Sequence, residues 1–182
     1  MADSGNPYRL IETKVLDVIV ETPTIKTFQL RPKEALSFVP GQFIDLTVPG
    51  VGEAPFTPSS YYGMKDQLAV TIMRVGKVTE RIHRLTAGDI VGVRGPYGAA
   101  YPLEKFKGKD ILVVGGGCGF APLRSLMYAF FDMSGQFKKL LFRGGCRNPK
   151  ELLYREELKE WAHRDDLDMV LTVDEGDAEW KG

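Results

Sequence analysis

Gly115-Gly116-Gly117-Cys118-Gly119-Phe120-Ala121-Pro122 follows directly on Ile111-Leu112-Val113-Val114. The short apolar run reads as a central parallel strand buried on both faces. The glycines behind it permit a tight turn and let the backbone approach a ligand that a Cβ would exclude. Pro122 has no N–H to lose in the first turn of a helix, which suits the start of a helix over Leu123–Asp132. A strand, a glycine turn and a helix N-terminus together can hold a pyrophosphate. The spacing Gly117-x-Gly119-x-x-Pro122 puts proline where the common dinucleotide fingerprint has its third glycine. Taken alone, such a turn serves equally as a plain connection in an α/β unit.

Other stretches carry chemistry in the same direction. In Ile72-Met73-Arg74-Val75-Gly76-Lys77-Val78-Thr79, Thr79 can cap a helix whose free N–H groups would receive phosphate oxygens, with Arg74 and Lys77 as positive charge. The bland reading is a capped helix with solvated basic residues. Gly144-Gly145-Cys146-Arg147-Asn148 lies at the carboxyl end of the second parallel strand, where α/β sheets bind ligands. Arg147 is a candidate nucleotide contact, or an exposed arginine before a helix. Cys118 is a small residue in a crowded turn or a reactive thiol. His83 and His163 fall on predicted helices as surface residues, and neither is placed as a general base.

Two kinds of architecture must position these residues. From residue 8 to about residue 102, short β-rich runs at Thr13–Glu21, Ile25–Arg31, Gln42–Val48, Leu68–Val75 and Ile90–Arg94 alternate with turn signals. This spacing predicts a closed or nearly closed antiparallel barrel, with a short helix at Thr79–Leu85. After Gly108 the pattern lengthens to strand Ile111–Val114, helix Leu123–Phe131, strand Leu140–Phe142, helix Lys150–Ala162 and strand Met169–Val173. Such a βαβαβ series implies parallel strands with right-handed crossovers. The charged stretch Leu103–Lys109 separates them, giving units 1–104 and 105–182.

Composition narrows the partners. The 182 residues are 43% hydrophobic and 26% charged, with 24 basic against 24 acidic side chains. No basic surface is offered to nucleic acid, and no run reaches the length of a membrane span. The polar start lacks a signal-peptide core, so a cytoplasmic location is expected. Cys118 and Cys146 are far apart and form no CxxC pair, so no metal site is expected from this chain alone.

Barrel-then-βαβ order, with four motifs in sequence, resembles the ferredoxin–NADP reductase superfamily. Within it the chain is most like electron-transfer flavoprotein subunits of larger enzymes: those of sulfhydrogenase (its gamma subunit), anaerobic sulfite reductase and dihydroorotate dehydrogenase. Pro55-Phe56-Thr57-Pro58-Ser59-Ser60 is similar to the family's flavin segment. The resemblance implies that Phe56, Thr57, Pro58 and Ser59 follow the isoalloxazine, with the Thr57 hydroxyl at the reactive N5 edge. The family's arginine falls on Ala54, so its contact to the flavin pyrophosphate is absent. Ile72, Arg74, Gly76, Lys77, Val78 and Thr79 match the FAD pyrophosphate segment, and Gly95-Pro96-Tyr97-Gly98 the turn closing the barrel. Gly115, Gly116, Gly117, Gly119 and Pro122 then hold the pyrophosphate of a nicotinamide nucleotide, with Arg147 and Asp174 as further contacts.

The resemblance implies FAD and NAD(P)H as cofactors, with hydride passing between nicotinamide and flavin and single electrons passing on to an iron–sulfur partner or catalytic subunit. NADP-specific relatives carry serine and arginine where this chain has Asp174-Glu175-Gly176-Asp177. Carboxylates there repel a 2′-phosphate and can accept ribose hydroxyls, so NADH is expected over NADPH. A stand-alone flavin or ferredoxin reductase is the alternative, and a non-catalytic docking module a third reading. Three strands in the order 3-2-1 leave Ile111–Val114 at an edge, and family members continue past Gly182, so a C-terminally truncated chain or one relying on a dimer partner is expected.

Overall fold

The computed structural model describes residue 6, residues 9–178 and residue 180. Six strands form one antiparallel sheet: β1 (Ile11–Thr22), β2 (Ile25–Pro32), β3 (Phe43–Val48), β4 (Gly52–Phe56), β5 (Leu68–Met73) and β6 (Ile90–Tyr97). Their order is β4-β3-β6-β1-β2-β5. The sheet curls until its two edges meet. Pro58 bridges Val70, and the Ser59 amide donates to the Ala69 carbonyl at 2.7 Å. Alternation along β3 sends Ile44, Leu46 and Val48 inward and leaves Phe43, Asp45 and Thr47 half-exposed. Phe28, Leu30, Val70 and Ile72 join that core, and Ile82 of helix α1 (Lys77–Ile82) plugs it. Full burial of each such side chain contributes about 1.5–3 kcal/mol.

Strand β4 was not anticipated, because Gly52 and Pro55 weaken a strand signal. It forms at the sheet edge, where a missing ladder donor is tolerated. The segment Gly95-Pro96-Tyr97 continues β6 rather than standing as a separate turn. Gly95 is at φ 124, and a Cβ there would lie 3.2 Å from the Phe43 carbonyl oxygen.

The second unit has three parallel strands, β7 (Asp110–Gly116), β8 (Lys139–Cys146) and β9 (Asp168–Val173), in that spatial order. Helices α2 (Phe120–Asp132) and α3 (Arg155–Ala162) connect them. Ile111, Val113, Phe130, Phe142, Leu158 and Trp161 form the core beneath, and Ile25 of the barrel packs into it. The expected burial of β7 on both faces is corrected: Leu112 is 62% and Val114 65% exposed. An apolar run reports hydrophobicity, not which neighbours are present, and β7 lies at the edge with helical cover on one face only.

The single helix expected over Lys150–Ala162 is also corrected. A 3-10 turn at Pro149–Glu151 gives way to extended Leu152, and Tyr154 takes φ 54 before α3 begins. Leu152, Leu153 and Tyr154 are all buried, which three successive helical residues on a surface helix cannot achieve. The segment Leu103–Lys109 contains a 3-10 turn over Leu103–Phe106.

Candidate functional site

Between the barrel and the carboxyl ends of β7–β9 lies a cavity of about 580 Å³. The barrel contributes Thr24, Met73 and Arg74; the α/β unit contributes Gly116, Gly117, Gly145, Arg147, Glu151 and Asp174. Motifs separated by up to a hundred positions in the chain therefore share one space. The Arg74 amide donates to the Thr24 carbonyl at 2.8 Å, pinning the end of β5 to the β1–β2 turn at the rim. Arg147 holds the opposite side, its carbonyl accepting the Glu175 amide at 2.8 Å. Arg74, Arg147 and Asp174 are exposed and Glu151 is half-buried, so two cations and two carboxylates line an open cleft.

The glycine loop divides into positions that need close packing and positions that leave room. A Cβ on Gly115 would lie 2.2 Å from Leu123 Cδ1, and one on Gly116 2.7 Å from the Gly145 carbonyl oxygen. Those two let helix and neighbouring strand come close. Gly117 sits at φ 52, and neither it nor Gly119 has an atom within 4 Å of a built Cβ. These two present bare backbone in a 3-10 turn (Gly117–Gly119) that leads into α2, whose Phe120 amide is bonded back to the carbonyls of that turn. The helix begins at Phe120, three residues earlier than expected, which puts Pro122 third in its first turn. An amide would still be unpaired there, so proline remains compatible.

On the barrel, Phe56 ends β4 opposite Ile44, and Thr57 is half-buried. Pro58 and Ser59 are buried, and Ile72 is a core residue with 1% exposure. Val78 lies 3.3 Å from a Cβ built on Gly52, so the start of α1 stands beside β4. Gly76 and Lys77 are exposed there. The expected capping is corrected: Gly76 is the cap residue and Thr79 lies inside the helix. The Thr79 hydroxyl oxygen reaches back to accept the Val75 and Gly76 amides, both at 2.9 Å, and donates to the Gly76 carbonyl. With no side chain on the cap residue, the first helical amides are left without a side-chain acceptor.

His83 is buried, not a surface residue. Its Nε2 pairs with the Ile72 carbonyl at 2.8 Å, and its ring meets Phe28 edge-on at 5.9 Å. Burial holds its pKa below the usual imidazole range, outweighing the Ile72 hydrogen bond, which acts the other way. A histidine just past the last residue of a short helix carries no sequence mark of this inward turn. His163 is exposed. Burial pushes the Cys118 thiol up, with a smaller opposing effect from the Met73 backbone, so it is a packing group at physiological pH.

A buried hydroxyl cluster was missed. Tyr154 donates its O–H to Thr71 Oγ1 at 2.6 Å, and Thr71 also meets Ser59 Oγ at 3.0 Å and Thr27 Oγ1 at 2.8 Å. The sequence hint is alternation on β2 and β5, which sets Thr27 and Thr71 on the face opposite the barrel-core residues Phe28, Leu30, Val70 and Ile72.

Comparison with known proteins agrees with this anatomy. Residues 13–101 match the family model for an oxidoreductase FAD-binding domain, and residues 113–182 that for an oxidoreductase NAD-binding domain. The chain belongs to the ferredoxin–NADP reductase-like oxidoreductases built from these two domains. It is 38% identical to sulfhydrogenase 1 subunit gamma of Pyrococcus furiosus, covering all of this chain and 65% of that protein. It is 33% identical to a probable dihydroorotate dehydrogenase B (NAD(+)) electron transfer subunit of Methanocaldococcus jannaschii, over 93% of this chain and 58% of that one. The chain thus spans less than two thirds of these relatives. In fold it matches the CS-b5R domains of human Ncb5or with a TM-score of 0.83 at 20% identity, covering 96% of this chain and 54% of that one. Among the described residues no helix is long and apolar enough to cross a membrane.

Proposed function

We propose that this chain is the flavin- and nicotinamide-binding part of an electron-transfer subunit, taking electrons from NADH through FAD to an iron–sulfur partner. One observation carries the reading: Arg74, the Gly116–Gly117 loop, Arg147 and Asp174 all line the same cavity between barrel and α/β unit. We place the boundary near residues 104 and 105, supported by family matches that stop at 101 and resume at 113. A cytoplasmic setting fits the composition.

The residues present suit both groups. Gly117 and Gly119 leave space for a pyrophosphate against backbone amides, and Arg147 offers a counter-charge. Asp174 can accept ribose hydroxyls and repels a 2′-phosphate, which supports NADH over NADPH. For FAD, the half-buried Phe56 and Thr57 beside Pro58 would follow the isoalloxazine, and the exposed Arg74 and Lys77 near the start of α1 would offer charge to the pyrophosphate. With alanine at position 54, these two cations would supply the charge that the family's arginine carries. Flavin supplies the conversion from an electron pair to single electrons. The protein's share would be orientation: Thr57 would present a hydroxyl able to donate or accept, and the glycine loop with Arg147 would hold the nucleotide.

Binding tests the assignment. Quenching of FAD fluorescence on titration with the chain, and tighter binding of NADH than NADPH to the flavin-loaded form, are expected. Equal or better binding of NADPH would overturn the coenzyme assignment, and unquenched FAD would overturn the flavin site. Arg147→Ala should weaken NADH binding about tenfold, the scale of one charge-assisted hydrogen bond, without changing FAD binding.

A further inference from the structure

The hydroxyl cluster joins the two units at a point no motif marks. Thr27 Oγ1 donates to Glu21 Oε1 at 2.7 Å, and a hydroxyl has only one proton. Thr27 must therefore accept from Thr71 at 2.8 Å. Thr71, its proton committed, must accept from Tyr154 at 2.6 Å; Ser59 Oγ, 3.0 Å away, has Thr71 and the Ala69 carbonyl at 3.4 Å as acceptors. From Tyr154 through Thr71 and Thr27 the protons point toward the Glu21 carboxylate. The circuit closes on itself, because the Tyr154 backbone amide donates to Glu21 Oε2 at 3.2 Å. Burial pushes the Tyr154 phenol up to about 12, so it remains a donor at neutral pH.

Tyr154 is thus held to the barrel at two atoms, and its backbone adopts a left-handed φ of 54 that a non-glycine residue rarely takes. Arg124 of α2 stacks on the ring at 4.5 Å, and its Nε donates to Glu157 of α3 at 2.6 Å. The α/β side of the clamp is therefore braced by two helices. On the barrel side a branch of the circuit at Thr71 reaches Ser59, two residues from Thr57.

We propose that Tyr154 is a positioning residue: through Thr71 and Ser59 it fixes the 56–59 segment of the barrel relative to the nucleotide loops of the α/β unit. This rests on the proposed function only for its kinetic consequence; the mechanical coupling stands on the hydrogen bonds alone. A hydrogen-bonded circuit ending on a carboxylate polarises in one sense, so losing one member loosens the others. Loss of register between two reacting partners costs on the order of tenfold to a hundredfold in rate.

The test is Tyr154→Phe in the full chain, which keeps the ring and its arginine contact and removes one oxygen. Hydrogen exchange should quicken at the Ser59 amide by tenfold or more, while amides of the β3–β6 ladder, which holds no member of the circuit, keep wild-type protection. In flavin-loaded protein the limiting rate of flavin reduction by NADH should fall about tenfold or more, with FAD affinity within twofold. Wild-type exchange at Ser59 in the variant would overturn the coupling, whatever the kinetics. Faster exchange with an unchanged reduction rate would overturn the positioning role. A wild-type chain that binds FAD without being reduced by NADH would instead count against the proposed function, leaving exchange to judge the clamp. Thr71→Val removes the hub at constant shape and should give the same exchange pattern; it decides the matter if Tyr154→Phe does not fold.

Discussion

The barrel closes its sheet upon itself, whereas the α/β unit leaves a face of its sheet open. In the barrel the outer strands β4 and β5 are drawn together by the Pro58–Val70 bridge, and Phe28, Ile44 and Val93 at its centre have no exposure. In the α/β unit, α2 and α3 cover one face of three strands, and Leu112, Val114 and Val170 remain exposed on the other. A closed sheet makes its own core from alternation. A parallel sheet depends on what is laid over it, so its strands can be strongly apolar without being buried.

This contrast can be broken at several points, beginning where the effect is largest. Phe28→Ala, in the barrel centre, should cost about 3–5 kcal/mol in urea unfolding; a loss below about 1 kcal/mol would mean the barrel is not the closed core described. Gly116→Ala puts a Cβ against the backbone of β8, 2.7 Å from the Gly145 oxygen, which no side-chain rotation relieves. The expected loss is about 1–3 kcal/mol, with weaker NADH binding by calorimetry.

A pH effect comes next. His83 has a folded pKa below its unfolded value of 6.5, so the unfolded chain binds the extra proton first. The stabilisation from keeping His83 neutral is present above 6.5 and is lost as pH falls from there toward the folded pKa. Thermal scans should show this decline in the wild type and a flatter profile in His83→Gln, whose amide can still reach the Ile72 carbonyl. The smallest effect is expected at Leu112→Ala, within about 0.5 kcal/mol, because the side chain is already in water. A cost above about 2 kcal/mol there would show the open face to be covered in solution.

Much of the barrel was legible because Pro40-Gly41 and Pro49-Gly50 bracket an alternating run, and turn residues punctuate the rest. The glycine loop was legible for a related reason: a strand, glycines and a helix start occur in the order that makes a phosphate cradle. What escaped depended on distant partners. Pro55 concealed β4, whose edge position is decided by strand pairing. Thr79 looked like a cap but works from inside the helix, since Gly76 has no side chain to offer. Tyr154 sits in an apolar triplet that continues the helical pattern by eye. The acidic pair Glu156 and Glu157 marked the true first turn, as carboxylates favour a helix N-terminus. The residues that join the units are ordinary in sequence because their roles exist only across the interface.

In the proposed function, barrel and α/β unit bring a flavin and a nicotinamide together. The most direct measurement is the visible absorption of the FAD-loaded chain before and after NADH is added without oxygen. Bleaching of the flavin band within seconds is the predicted result, showing that both groups bind and meet. A bound flavin whose spectrum is unchanged by excess NADH would contradict it.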